Sequence, residues 1–234
     1  MNRRRAEFLA EMGLSPVWRL RRPAVAPGQA SDGPDPQERG EATRDGVISS
    51  LGWDALKSRV ANCTDCKLRA GCTQTVFGVG GERAQWMLIG EAPGADEDRL
   101  GEPFVGQAGK LLDNMLAAIG LRRGENAYIA NVLKCRPPGN RNPEPDEVAA
   151  CSPYLRRQIA VIQPKLILAL GRFAVQTLLE TDASIGSLRG RTHSYAGVPL
   201  VVTYHPAYLL RNPPDKAKAW ADLRFAMQTV ASLG

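Results

Sequence analysis

Residues 86–94 read WMLIGEAPG: four apolar side chains, Trp86 to Ile89, closed by Gly90 and followed by a Gly-, Pro-rich turn. An apolar run this short, bounded by turn residues, predicts a strand buried on both faces rather than a helix. Three similar runs follow at 128–132 (YIANV), 166–170 (LILAL) and 199–203 (PLVVT). Helical spacing separates them: Leu111, Leu112, Met115, Leu116 and Ile119, then Val148, Cys151, Leu155, Ile159 and Ile162, with Pro153 in the first turns or at a kink. Ile48, Leu51, Leu56 and Val60 predict a helix before the first strand, and Trp220, Leu223, Met227 and Val230 a closing one. Strand alternating with helix predicts an α/β fold with a parallel sheet covered on both faces.

The 234 residues are 44% hydrophobic and 23% charged, a soluble globular balance that excludes collagen-like and fully disordered classes. The apolar runs are strand-sized, which excludes a membrane span, and the arginine-rich N-terminus lacks an apolar export core. The net charge of +6 is unevenly placed. Residues 1–23 carry six arginines against Glu7 and Glu11. Residues 24–46 are acidic, and residues 23–46 hold four prolines and four glycines. That stretch cannot offset its chain entropy by burial, so 24–46 is expected to be a disordered linker. Residues 1–23 place Phe8, Leu9, Met12, Leu14, Trp18 and Leu20 among arginines, the composition of a docking peptide. The folded domain is expected over 47–234. Its mild positive charge is compatible with nucleic acid without requiring it.

In a parallel sheet, sites form at the carboxyl ends of the strands. Gly90 to Gly94, Asn131 and His205-Pro206-Ala207-Tyr208 all fall there. Each is weak alone, because a Gly-Pro turn, a capping Asn and a lone His are common structural features; their convergence on one rim is the informative point. Cys63-x2-Cys66 precedes the sheet, while Cys135 and Cys151 follow the second strand. Two close and two distant thiolates suit zinc and an iron–sulfur cluster equally by counting.

The runs GEAPGADEDRLGEPFVGQAGKLLDNML (90–116), NVLKCRPPGNRNP (131–143) and HPAYLLRNP (205–213) resemble family 4 uracil-DNA glycosylases, the iron–sulfur members of their superfamily. The resemblance covers roughly 47–234. It implies a three-layer α/β/α fold with a four-stranded, mainly parallel central sheet. It further implies a [4Fe–4S] cluster held by Cys63, Cys66, Cys135 and Cys151, with Cys72 a spare thiol. The implied activity is hydrolysis of the deoxyuridine N-glycosidic bond after base flipping, with no strand cleavage, since no lysine stands as a Schiff-base nucleophile. By the same resemblance Phe104 stacks on the base, Asn131 pairs with the uracil edge and His205 donates to uracil O2, with the backbone of Ala92 and Gly94 assisting. Glu91 shapes the pocket and Glu97 handles water. Arg136, Arg141 and Arg211 meet phosphates, and Leu209 or Leu210 wedges into the gap. The competing expectations are a non-catalytic iron–sulfur DNA-binding module and an unrelated zinc-stabilised α/β protein.

Residues 1–23 are similar to the N-terminal peptide of the psi subunit of bacterial clamp loaders, through Arg4-Arg5, Leu9, Met12-Gly13-Leu14, Trp18 and Leu20 to Pro23, with one residue of spacing different. This implies docking on the polymerase III clamp loader. A monomer acting in the bacterial cytoplasm, at the nucleoid, is the accompanying expectation.

Overall fold

The computed structural model describes residues 43–233. The expected docking peptide 1–23, and the expected linker as far as residue 42, lie outside the described residues.

Five strands form one sheet in the order β2-β1-β3-β5-β4: β1 Trp86–Gly90, β2 Ala127–Asn131, β3 Leu166–Leu170, β4 His193–Tyr195 and β5 Val198–Thr203. All neighbours run parallel except β4, which pairs antiparallel with β5. The expected count of four is therefore corrected to five. The extra strand has three residues without an apolar repeat, and it exists because the positive-φ pair Ala196-Gly197 turns the chain back onto β5.

Strand alternation sends side chains to two separate cores. Met87, Ile89, Tyr128, Ala130, Ile167, Ala169, Leu200 and Val202 pack beneath α1 (Arg44–Ser50), α2 (Trp53–Ala61), α5 (Pro145–Ile162) and α6 (Arg172–Leu179). Leu88, Ile129, Leu166, Leu168 and Val201 face α4 (Gln107–Ala117) and α9 (Lys216–Ala231). Fully burying each such side chain contributes roughly 1.5–3 kcal/mol, so the three-layer arrangement follows from strands apolar on both faces. The short helices α3 (Ala95–Leu100), α7 (Ile185–Leu188) and α8 (Pro206–Arg211) lie in connections. Helix α1 opens at Arg44, inside the stretch expected as linker, because Thr43 caps Gly46 N–H and Ile48 is buried. Pro153 lies within α5, which begins at Pro145.

The sheet reverses its direction of winding between β1 and β3. On the other side of β1, register sets Gly90 directly beside Asn131 at the end of β2. Among the described residues no helix is long and apolar enough to cross a membrane.

Candidate active site

A cavity of about 410 Å³ opens above that reversal, with Glu91, Ala92, Gly94, Glu97, Phe104, Asn131 and His205 in its wall. Three of them come from three strand ends. Glu91 follows β1, Asn131 ends β2 and His205 lies two residues beyond β5. A larger groove, about 690 Å³ between α5 and α6, has no such convergence and is lined by residues such as Val148, Phe173 and Gln176.

The floor depends on an absent side chain. A Cβ at Gly90 would stand 2.4 Å from Asn131 Oδ1 and 2.7 Å from Phe104 Cζ, so only glycine leaves both groups room. Asn131 is buried, yet among the described residues its Oδ1 has no hydrogen-bond partner. Buried polar atoms are almost always paired, so this acceptor is poised for a donor brought by a ligand. The main-chain oxygen of the same residue accepts from Lys134 Nζ at 2.8 Å.

Phe104 forms one wall in the left-handed region, with φ +56°. Its ring lies 5.4 Å from that of His205, at 30° between planes. His205 caps α8: Nδ1 accepts Ala207 N–H at 3.1 Å, which leaves Nε2 as the N–H donor. Burial, with Arg211 nearby, lowers the imidazole pKa to about 4 against a weaker opposing pull from Glu97, so the ring is neutral at pH 7.

The two carboxylates differ in kind. Burial pushes the Glu91 carboxyl up to about 7, only partly offset by Arg172. Glu97 Oε2 accepts Gly94 N–H and Oε1 accepts Val105 N–H, each at 3.0 Å. Glu97 thus straps together the loop after β1 and the loop carrying Phe104. Next to it, Asp98 accepts Thr73 N–H at 2.9 Å and ties the segment after the first cysteines to α3.

Of the expected DNA-facing residues, Arg211 is exposed and on the cavity rim. Arg136 bonds Asn140 Oδ1 at 2.8 Å. Arg141 lines the cavity but forks onto Glu147 at 2.9 and 2.5 Å, so its charge is already paired. Leu209 needs correction as the wedge. It is buried against α4 and α9 because it occupies the inward face of α8, and Leu210 is the exposed neighbour.

Cys63, Cys66, Cys135 and Cys151 line one small enclosed cavity, with Leu68, Lys134 and Tyr154, and none is in a disulfide. Cys72 is buried, keeps its sulfur contacts with Arg69, and lies outside that lining. Burial raises the thiols of Cys135 and Cys151, the latter to about 11. A bound cation reverses that cost, since coordination deprotonates thiols outright. Among the described residues no three ligating side chains are drawn close enough to hold a single ion. The four cysteines instead line one cavity, a donor set that suits a polynuclear group.

The sequence did not single out Arg123, Lys134 and Arg172. Lys134 alone carried a signal, because a lysine between a strand-end Asn and a ligand Cys has little route to solvent.

The family model for the Uracil DNA glycosylase superfamily matches residues 77–224. The chain is 45% identical over 179 residues to a "Type-4 uracil-DNA glycosylase" of Archaeoglobus fulgidus, covering 73% of this chain and 89% of the relative. It is 44% identical over 167 residues to the Type-4 protein of Thermotoga maritima, covering 70% and 86%. A DNA polymerase of Bacillus phage SP01 is 32% identical over 136 residues, 58% of this chain and 15% of the polymerase.

Proposed function

This chain belongs to the Uracil DNA glycosylase superfamily, and from that membership we propose that it is a DNA-repair enzyme. It hydrolyses the N-glycosidic bond of deoxyuridine in DNA, releases uracil and leaves an abasic site. The observation that carries this reading is the buried, unpartnered Oδ1 of Asn131 beside a neutral His205 and the Phe104 ring.

Uracil in a duplex is stacked, so the nucleotide must flip out, at a cost of about a few kcal/mol. Stacking on Phe104 returns roughly 1–3 kcal/mol of it. Asn131 Oδ1 accepts uracil N3–H and its Nδ2 donates to O4; cytosine presents the opposite pattern on that edge. As the C1′–N1 bond lengthens, its electron pair moves onto the base and negative charge grows at O2. His205 Nε2–H donates to that oxygen, and as a neutral donor it keeps its proton. Glu91, when ionised, stabilises the cationic sugar and takes a proton from the water whose oxygen adds to C1′; the departing uracil anion takes its proton from solvent, and Glu91 returns its own to solvent. Glu97 holds the pocket loops through its two amide bonds, so the proposal exchanges the roles that the resemblance implies for the two carboxylates. Among the described residues the cavity lining contains no lysine, which is in keeping with release without a lyase step.

The four-cysteine cavity is read as the seat of a [4Fe–4S] cluster held by Cys63, Cys66, Cys135 and Cys151. When bound, it supplies a structural pin across the segments that carry the site loops. Arg211, Arg136 and the exposed Leu210 are the DNA-facing set. The protein acts as a monomer in the bacterial cytoplasm, at the nucleoid, and residues 1–23 dock it to the clamp loader. Pull-down of clamp-loader subunits by the full chain tests that docking, and equal recovery after deletion of 1–23 sinks it.

The activity is tested with a labelled uracil oligonucleotide, alkali and a denaturing gel, beside cytosine and thymine controls. Cleavage only with uracil and only after alkali is expected. DNA retained in a native gel without product would instead indicate a binding module.

A further inference from the structure

Among the described residues, Lys134 is the one lysine or arginine whose side chain is buried, and it is 2% exposed. Its Nζ has a single protein acceptor, the main-chain oxygen of Asn131 at 2.8 Å. An ammonium carries three N–H donors, so two remain, and the side chain lines the cavity ringed by the four cysteines. The other cations nearby are committed elsewhere. Arg44 and Arg59 pair with Asp65, and Arg69 donates to the main-chain oxygen of Cys72. The Lys134 amide N–H donates to Cys151 Sγ at 3.3 Å, which sets the residue against one of the four cysteines. A lone buried ammonium is costly without a counter-charge.

We propose that Lys134 is the internal counter-cation of the group held by Cys63, Cys66, Cys135 and Cys151, with its remaining N–H donors directed to the sulfurs. The inference rests on the iron–sulfur reading above. Four thiolates around an iron–sulfur core leave net negative charge, and charge and hydrogen bonds at the sulfurs set the stability and potential of such clusters. Lys134 meets that charge where solvent does not reach, while its bond to Asn131 anchors the cation to the end of β2.

The test uses the full-length protein purified without oxygen. Wild type that binds no iron ends the iron–sulfur reading itself, before Lys134 is at issue. With iron bound, Lys134→Met keeps the chain length and removes the charge. It should release iron to a ferrous chelator at least about tenfold faster, and its cluster couple should fall by about 60 mV, the one-electron equivalent of tenfold. Lys134→Arg keeps the charge and should stay within roughly threefold of wild type in iron release. Wild-type iron retention or wild-type potential in Lys134→Met overturns the proposal, as does equal loss from both variants. Should Lys134→Met yield no iron-loaded protein, retention by Lys134→Arg supports the charge and loss from both overturns it.

Discussion

Arg123 donates to the main-chain oxygens of Pro103 at 2.6 Å and Phe104 at 2.8 Å, while its Nε holds Asp113 at 2.9 Å. A phenylalanine with positive φ stores on the order of 1–3 kcal/mol, and this fork helps to hold it. Gly109 completes the hold, since a Cβ there would lie 1.7 Å from Phe104 O. Arg123→Met should therefore free the ring and weaken inhibition by free uracil about tenfold, with a smaller change in kcat. Gly109→Ala should act in the same direction. Product-inhibition assays with folding checked by circular dichroism decide it; an unchanged uracil Ki would remove Arg123 from the pocket's support.

Asn131→Ala removes the waiting acceptor and its amide donor together. Loss of pairing at a site built for it should lower kcat/KM for uracil by about 5- to 150-fold, the equivalent of roughly 1–3 kcal/mol. Asn131→Asp should be no better when ionised, because the carboxylate has no donor for O4 and repels the departing anion. Single-turnover rates on uracil oligonucleotides measure both.

His205→Ala should cost about 10²–10³ in kcat, the usual loss of one donor at a developing oxyanion. Because the imidazole titrates near 4, the profile left after Glu91→Gln should show no break near the ordinary histidine value of about 6.5. A break that disappears in His205→Ala would show that the ring is charged in the working enzyme.

Glu91 titrates near 7, so the rate should rise with pH through that value and Glu91→Gln should flatten the rise. The folded pKa exceeds the unfolded value of about 4.3. Ionisation therefore costs stability that is absent below pH 4, grows through the interval and is complete above 7. Glu91→Gln should accordingly raise Tm more at pH 8 than at pH 5, as calorimetry at the two values would show.

Leu209 and Leu210 should separate cleanly. Leu209→Ala opens a hole between α4, α8 and α9 and should cost about 2–5 kcal/mol of stability. Leu210→Ala should leave stability within about 0.5 kcal/mol of wild type and slow uracil release from duplex more than from single-stranded DNA. Equal slowing on both substrates would remove the wedge role.

Strands buried on both faces announce themselves as apolar runs, so β1, β2, β3 and β5 were readable to within a residue or two. β4 was not, because three edge residues leave no pattern and a turn alone creates the strand. At the site, residues marked by motif (Glu91, Phe104, Asn131, His205) come together in one wall, whereas inward or outward direction on a six-residue helix was unreadable. That is why Leu209 and Leu210 were interchangeable by sequence. Arg123 was invisible for another reason: it binds carbonyl oxygens 19 and 20 residues away, contacts that depend on backbone path and not on side-chain type.

The strand order carries a consequence for synthesis. Glu91 and Asn131 reach the rim on β1 and β2, but His205 arrives only with β5, which docks against β3 on the far side of β1. A nascent chain halted after β3 already carries Asn131 and Phe104 and still lacks His205. On the proposed reading, an intermediate of that length would be inactive on uracil, and the first turnover of each molecule would report that its last parallel strand has seated.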